Sequence, residues 1–321
     1  MNNNAINGLR ESLIQFYKRQ EYLIVPVFRF AVTLCLLLLL RTHLGAYGPA
    51  GAPLQSTLLN VIIALFCSML PPGFTAAILA LVMVWDLYRL SLEATALCAV
   101  LILLCILIYY RFSPGDSMIL LLMPIAYAVN LHYAVPVLAG LLFGPGAAVP
   151  VVFGLLFVRY VLLVEELLPV IGPDPGGAAL TGERLISNFR ALIDGLMNDR
   201  GLIILAAALA AAAVVVCFIR HLVMAHAWIA AITAGCILEL VILLAGDMRF
   251  GTEIDLTMVL AGIVVSFLLA QIARFFLFHA DYLRIENVQF EDEDYYYYVK
   301  AVPKVVASGP EAEEEDDVFS P

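Results

Sequence analysis

The chain has 321 residues, 63% of them hydrophobic and 14% charged, and a net charge of −10. Several apolar runs reach the roughly 18 residues needed to cross about 30 Å of hydrocarbon, which excludes an ordinary soluble domain and points to a polytopic membrane protein. Residues 281–321 hold twelve acids and three bases, so −9 of the charge belongs to the C-terminal tail; that excludes nucleic acid, which needs a basic face, and a tail lying on an anionic leaflet.

Residues 6–20, INGLRESLIQFYKRQ, put Ile6, Leu9, Leu13, Phe16 and Tyr17 on one helical face and Arg10, Lys18 and Arg19 elsewhere. This predicts an interfacial amphipathic helix over 1–21, its bases marking the cytoplasmic side. A first membrane bundle is expected over 22–168, with spans at 22–44, 54–70, 74–90, 92–110 and 116–133. Further on, prolines at 136, 145 and 150 and glycines at 140, 144, 146 and 154 rule out one straight helix. The expectation is a short apolar segment over 134–143, a break at Gly144-Pro145-Gly146 and a longer span over 148–168. Broken backbone at membrane depth survives only where protein or a water-filled cavity shields it.

Residues 169–200 are expected outside as a loop carrying a second amphipathic helix. Leu185, Ile186, Phe189, Leu192, Ile193, Leu196 and Met197 form one stripe, and Thr181 is the expected N-cap. Spans at 201–219, 225–245 and 256–279 make a second membrane bundle over 201–279. Ten crossings put both termini in the cytoplasm, with Lys18, Arg19, Arg111, Arg220 and Arg274 inside. Merging 134–168 into one helix gives nine and sets the tail against the bases of the first and last spans, so ten is the expected count. Residues 280–306 hold LRIENVQF, EDED and YYYYVKAVPKVV, which predict a small cytosolic β-hairpin with Pro303 on an edge strand. The acidic run 307–321 is disordered by composition. The fold class is therefore an all-α polytopic membrane protein of about nine to ten transmembrane segments, some short or broken, with a cytosolic hairpin and an acidic tail.

Ionisable residues within lipid are functional candidates by default, because they are costly to keep there. Asp86 and Arg89 lie three residues apart with Glu93 four beyond, a spacing that suits a structural ion pair near the interface. Arg159 with Glu165 and Glu166 reads the same way. Glu239 is more isolated and must face the bundle interior, with Arg29, His221 or His226 as its partner. Asn130 and His132 end a span, and Gln271 and Arg274 lie in the last one; single His or Asn residues here are more often helix–helix contacts than catalysts.

No catalytic signature is present: no HExxH, GxSxG, Walker motif or aspartate-rich pair. All six cysteines sit in apolar runs without CxxC spacing, as small buried hydrophobes do, so neither a disulfide framework nor a metal site is implied. The first twenty residues are polar and no small-residue cleavage site follows Leu34–Leu40, so no cleavable signal is expected. The expected protein is not an enzyme and uses no cofactor.

Residues 54–168 combine short spans, a helix ending in Leu70-Pro71-Pro72, a following helix closing in Asp86, and the Gly144-Pro145 break. In this they resemble the MreD rod-shape proteins and, equally, the substrate-binding S-components of energy-coupling-factor vitamin transporters. The chain departs from both families in its three added spans, the external helix and the acidic tail. The tail itself is similar to those of membrane proteins of clostridia and other Firmicutes, which implies a multi-pass protein of a Gram-positive plasma membrane. Two readings follow. One is a cell-envelope scaffold that recruits a cytosolic or envelope protein through 281–321, with Tyr295, Tyr296, Tyr297, Tyr298 and Phe319 as docking residues. The other is a transport component with a substrate cavity at the broken 134–150 segment, lined by Asn130, His132 or Glu239.

Overall fold

A computed structural model describes residues 3–45, 55–112, 115–171, 182–222, 224, 226–252, 255–277, 286–291 and 296–301. The helices are α1 (Asn3–His43), α2 (Thr57–Ser68), α3 (Pro72–Leu90), α4 (Leu92–Phe112), α5 (Ser117–Ala128), α6 (Ala134–Leu142), α7 (Ala148–Ile171), α8 (Gly182–Met197), α9 (Arg200–Arg220), α10 (Ala227–Phe250) and α11 (Leu256–Leu277). A single 3-10 turn, Pro145–Ala147, joins α6 to α7. Strands β1 (Glu286–Glu291) and β2 (Tyr296–Ala301) pair antiparallel, with Glu291 opposite Tyr296 and Glu286 opposite Ala301. The acidic run 307–321, Tyr295, Phe319 and Thr181 fall outside the described residues.

Local chemistry sets the helix ends. Ser56 caps α2 by accepting the Leu59 amide at 3.3 Å, and Pro72 opens α3, where a missing N–H costs nothing. Asp199 caps α9 through the Leu202 amide at 2.9 Å, and Gly251, at φ 61°, closes α10 in the left-handed conformation that glycine adopts freely.

Among the described residues, seven helices are long and apolar enough to cross a membrane. That is fewer than the nine to ten segments expected, because the sequences near 54–70, 116–133 and 134–143 form helices of only 12, 12 and 9 residues. At 1.5 Å per residue these span about 14–18 Å, roughly half a hydrocarbon core. The expected interfacial helix and first span form one helix, with Pro26 inside it.

Cross-helix contacts fix the direction of each element. Arg29 of α1 donates to the Leu70 carbonyl just before α3, while Leu44 clusters with Leu87 and Leu90 at the other end. Tyr109 and Ser117 share a hydrogen bond at 2.7 Å where α4 meets α5, and Tyr160 donates to the Ala94 carbonyl to set α7 against α4. One apolar core runs through α5, α6, α7, α9, α10 and α11, with Met123, Val137, Val151, Leu209, Val216 and Ile232 fully buried. Helix α8 packs Leu192 and Asn188 inward and leaves Ile186 and Met197 exposed, as suits a helix lying along the bundle at a membrane interface.

Candidate functional site

The polar centre of the bundle is built on the turn between α5 and α6. α5 stops at Ala128, and Asn130 adopts φ 57°, a left-handed conformation that asparagine tolerates better than other side chains bearing a Cβ. The backbone of the turn is paired internally: Leu131 N–H reaches Ala126 O at 2.7 Å and Ala134 N–H reaches Leu131 O at 3.0 Å. Ser266 of α11 donates to the Tyr133 carbonyl at 3.0 Å. At the other end of α6, Arg220 donates to the Leu141 carbonyl and, at 3.2 Å, to the Phe143 carbonyl. These bonds satisfy carbonyls that a broken helix would otherwise leave bare in an apolar core.

The turn collects ionisable and aromatic groups. The His132 ring, 7% exposed, lies 5.0 Å from the Tyr127 ring and 4.1 Å from that of Tyr133, and its Nδ1 has no hydrogen-bond partner. Glu239 of α10 is fully buried, and neither carboxyl oxygen has a hydrogen-bond partner. Its electrostatic neighbours include Tyr133 and Cys236. Tyr127 interacts with Arg159 of α7, which is ion-paired to Asp199 at the start of α9. Polar groups thus run from Glu239 through Tyr133, His132 and Tyr127 to Arg159 and Asp199.

Beside this row lies a cavity of about 630 Å³, enclosed by α1, α3, α4, α5 and α7. Its wall is largely apolar, with Leu36, Leu40, Ala76, Ala80, Met83, Cys105, Leu121, Phe157 and Val161 among the lining residues. Polar groups enter it at few points: the Tyr109–Ser117 pair, Tyr127, Asn130 and His43. His43 also holds Glu165 of α7 at 2.6 Å, tying α1 to α7. A cavity of this size, apolar with a few polar groups at fixed points, suits a small amphipathic molecule.

Several expected arrangements differ. This cavity is lined by other segments than 134–150; of the residues expected to line a cavity there, Asn130 lines this one, whereas His132 and Glu239 are buried and are not among its lining residues. Arg159 does not pair with Glu165 or Glu166. One helix places those residues about two turns away, so Arg159 reaches across to Asp199 and Glu165 to His43. Glu239 hydrogen-bonds none of Arg29, His221 or His226: Arg29 is on Leu70, and His221 contacts the Cys217 carbonyl at 2.7 Å. Asp86 is buried on α3 and Arg89 half-buried, while Glu93 accepts from Ser91 at 2.8 Å and Asn188 at 3.0 Å, joining α4 to α8. Arg274 donates to Gln271 at 2.8 Å. Tyr296, Tyr297 and Tyr298 lie in β2. Sequence reasoning missed Tyr127, Tyr133, Asp199, Arg220 and the His43–Glu165 pair, which look unremarkable until the helices are assembled.

Asp199 makes the site sensitive to acid. Partial burial pushes its carboxyl up, but the hydrogen bonds from Arg159 and from the Leu202 amide outweigh that and hold it below the usual carboxylate range. A carboxylate depressed in the folded state stabilises the fold above its unfolded value, about 4, and that contribution disappears as pH falls through the folded value. The apparent melting midpoint of the detergent-purified protein should therefore fall as pH drops below about 4, and Asp199→Asn should flatten that fall while lowering the midpoint at pH 7. An unchanged acid limb in the variant would assign the transition to other carboxylates.

Among the described residues no group of three or more His, Cys, Asp or Glu side chains is arranged to hold a metal ion. No protein-family model, curated protein or solved structure matches this chain.

Proposed function

We propose that this protein is a membrane transport component that takes up a single-chain amphipathic molecule from the bilayer. The cavity of about 630 Å³ carries this reading. Its apolar wall is matched to a hydrocarbon chain, and the His43–Glu165 pair at one side and Tyr127 and Asn130 at another offer hydrogen bonds to a headgroup. Ile106 and Ala77 line the cavity and are exposed, which supports lateral access from lipid. The S-component resemblance of residues 54–168 points the same way. Counting the three half-length helices α2, α5 and α6 with the seven long ones gives ten passages, which puts both termini on the cytoplasmic side of a plasma membrane.

The test uses the full chain in nanodiscs with a pyrene-labelled long-chain alcohol. Saturable binding near one per protein, displaced by unlabelled alcohol, is the expected result. Partitioning no greater than into empty nanodiscs contradicts the proposal.

A second reading, the cell-envelope scaffold, is favoured by one observation: Tyr296, Tyr297 and Tyr298 are paired in a strand, β2 against β1. On this reading the paired strands dock a cytosolic or envelope protein. Crosslinking from native membranes with the chain truncated after His279 tests it, since a partner captured by both forms does not need the tail.

A further inference from the structure

The buried row behind the cavity has a use that ligand uptake alone does not require. Glu239 is fully buried near the middle of α10, and both of its oxygens lack a hydrogen-bond partner. An isolated carboxylate in such surroundings is far costlier than a neutral acid, so the group takes up a proton unless a cation neutralises it. Among the described residues no cation is paired with it. On α9, Arg220 is committed to the α6 carbonyls, and Arg200 lies over the Phe250 ring at 5.6 Å. On α11, Arg274 is held by Gln271, and on α10 itself Asp247, which accepts from Thr252, and Arg249 lie two turns or more further on. The titratable groups within electrostatic range of Glu239 include Cys236 on its own helix and Tyr133 at the start of α6. Among the described residues, no group of three or more His, Cys, Asp or Glu side chains gathers there to hold a metal ion.

The second observation lies on the same turn. His132 Nδ1 is also buried without a partner, and the His132 ring lies tilted against those of Tyr133 and Tyr127. Tyr127 in turn lines the cavity. A proton acceptor in the core and an unpaired imidazole nitrogen are therefore separated from the cavity by tyrosine side chains, on a turn that breaks two half-length helices. Turns of this kind let small shifts of backbone re-aim side chains at a site.

We propose that Glu239 is a proton-binding site whose occupancy is coupled to ligand binding in the cavity through Tyr133, His132 and Tyr127. The inference rests on the cavity reading for its second half only. When the cavity fills, the turn shifts and Glu239 releases its proton, by way of His132, to bulk water. The reverse transfer resets the site, so no co-reactant beyond the proton is involved.

Two measurements on the full chain test this. Infrared spectroscopy at neutral pH should show a protonated-carboxyl band, shifted in D2O, that is lost in Glu239→Gln and moved in Glu239→Asp. Absence of a Glu239-dependent band overturns the proposal whatever the cavity does. Affinity for the pyrene-labelled alcohol, a probe that does not itself titrate, should change at least fivefold between pH 5.5 and 8.5 and be flat in Glu239→Gln. Binding that is equally flat in the native chain overturns the coupling and leaves the cavity reading intact. No binding at all defeats the cavity reading, and the coupling with it, while the infrared result still reports on Glu239. Glu239→Asp, which keeps the acid, should retain the pH dependence, whereas a merely structural role for Glu239 would leave affinity flat with pH in every form.

Discussion

Gly140→Leu should leave almost no monodisperse protein. A Cβ at position 140 would stand 2.6 Å from the Ala213 carbonyl oxygen and 2.8 Å from Val216 Cβ, so α6 could not remain against α9. Because the first of those atoms is backbone, no rotamer change relieves the clash, and Val216 has no room to yield, since it also packs against Gly235 of α10. Overpacking of this kind costs about 3 kcal/mol or more, a large part of what holds a typical fold together. Gly144→Ala is the control, since a Cβ there meets nothing within 4 Å, and its effect should stay within about 0.5 kcal/mol. Size-exclusion profiles and apparent melting midpoints of the two variants compare them directly. If Gly140→Leu behaves like Gly144→Ala, α6 does not pack on α9 as described.

Ala80→Trp should abolish binding of the pyrene-labelled alcohol while the protein still folds. Ala80 lines the cavity and is half-buried on α3, so an indole projects into space that the ligand needs. A loss of at least tenfold, about 1.4 kcal/mol, is expected. Leu103→Trp, on the 65%-exposed outer face of α4, adds the same indole outside the cavity and should leave affinity unchanged. Equal losses in both variants would mean that the probe responds to the bundle surface and not to the cavity.

Much of the fold is legible in the sequence because lipid leaves the backbone few options. The Gly144-Pro145-Gly146 break lies where the 3-10 turn Pro145–Ala147 joins α6 and α7, and the stripe from Leu185 to Met197 lies within α8. Apolar runs are poorer guides to helix length. Residues 116–133 are apolar enough for a span, yet the helix ends at Ala128 because Asn130 turns the chain, and periodicity carries no signal for a left-handed asparagine. The site was less legible. Glu239 and His132 stand out as polar residues in lipid, but their surroundings depend on which helices meet. Arg159 has two acids downstream on its own helix and pairs instead with Asp199, forty positions away, since helices that cross bring distant residues closer than two turns of one helix. The cavity draws on α1, α3, α4, α5 and α7, and no local window contains a surface assembled from five segments.

The most direct test of the account is to find where the ligand sits. The full chain in nanodiscs, photolabelled with a diazirine-bearing long-chain alcohol and mapped by peptide mass spectrometry, should carry adducts on Met83, Tyr109 and Phe157, which line the cavity, and lose them in Ala80→Trp. Labelling confined to outward residues such as Leu103, Leu107 and Phe218 would identify the alcohol as surrounding lipid and contradict the assignment of the cavity as a binding site.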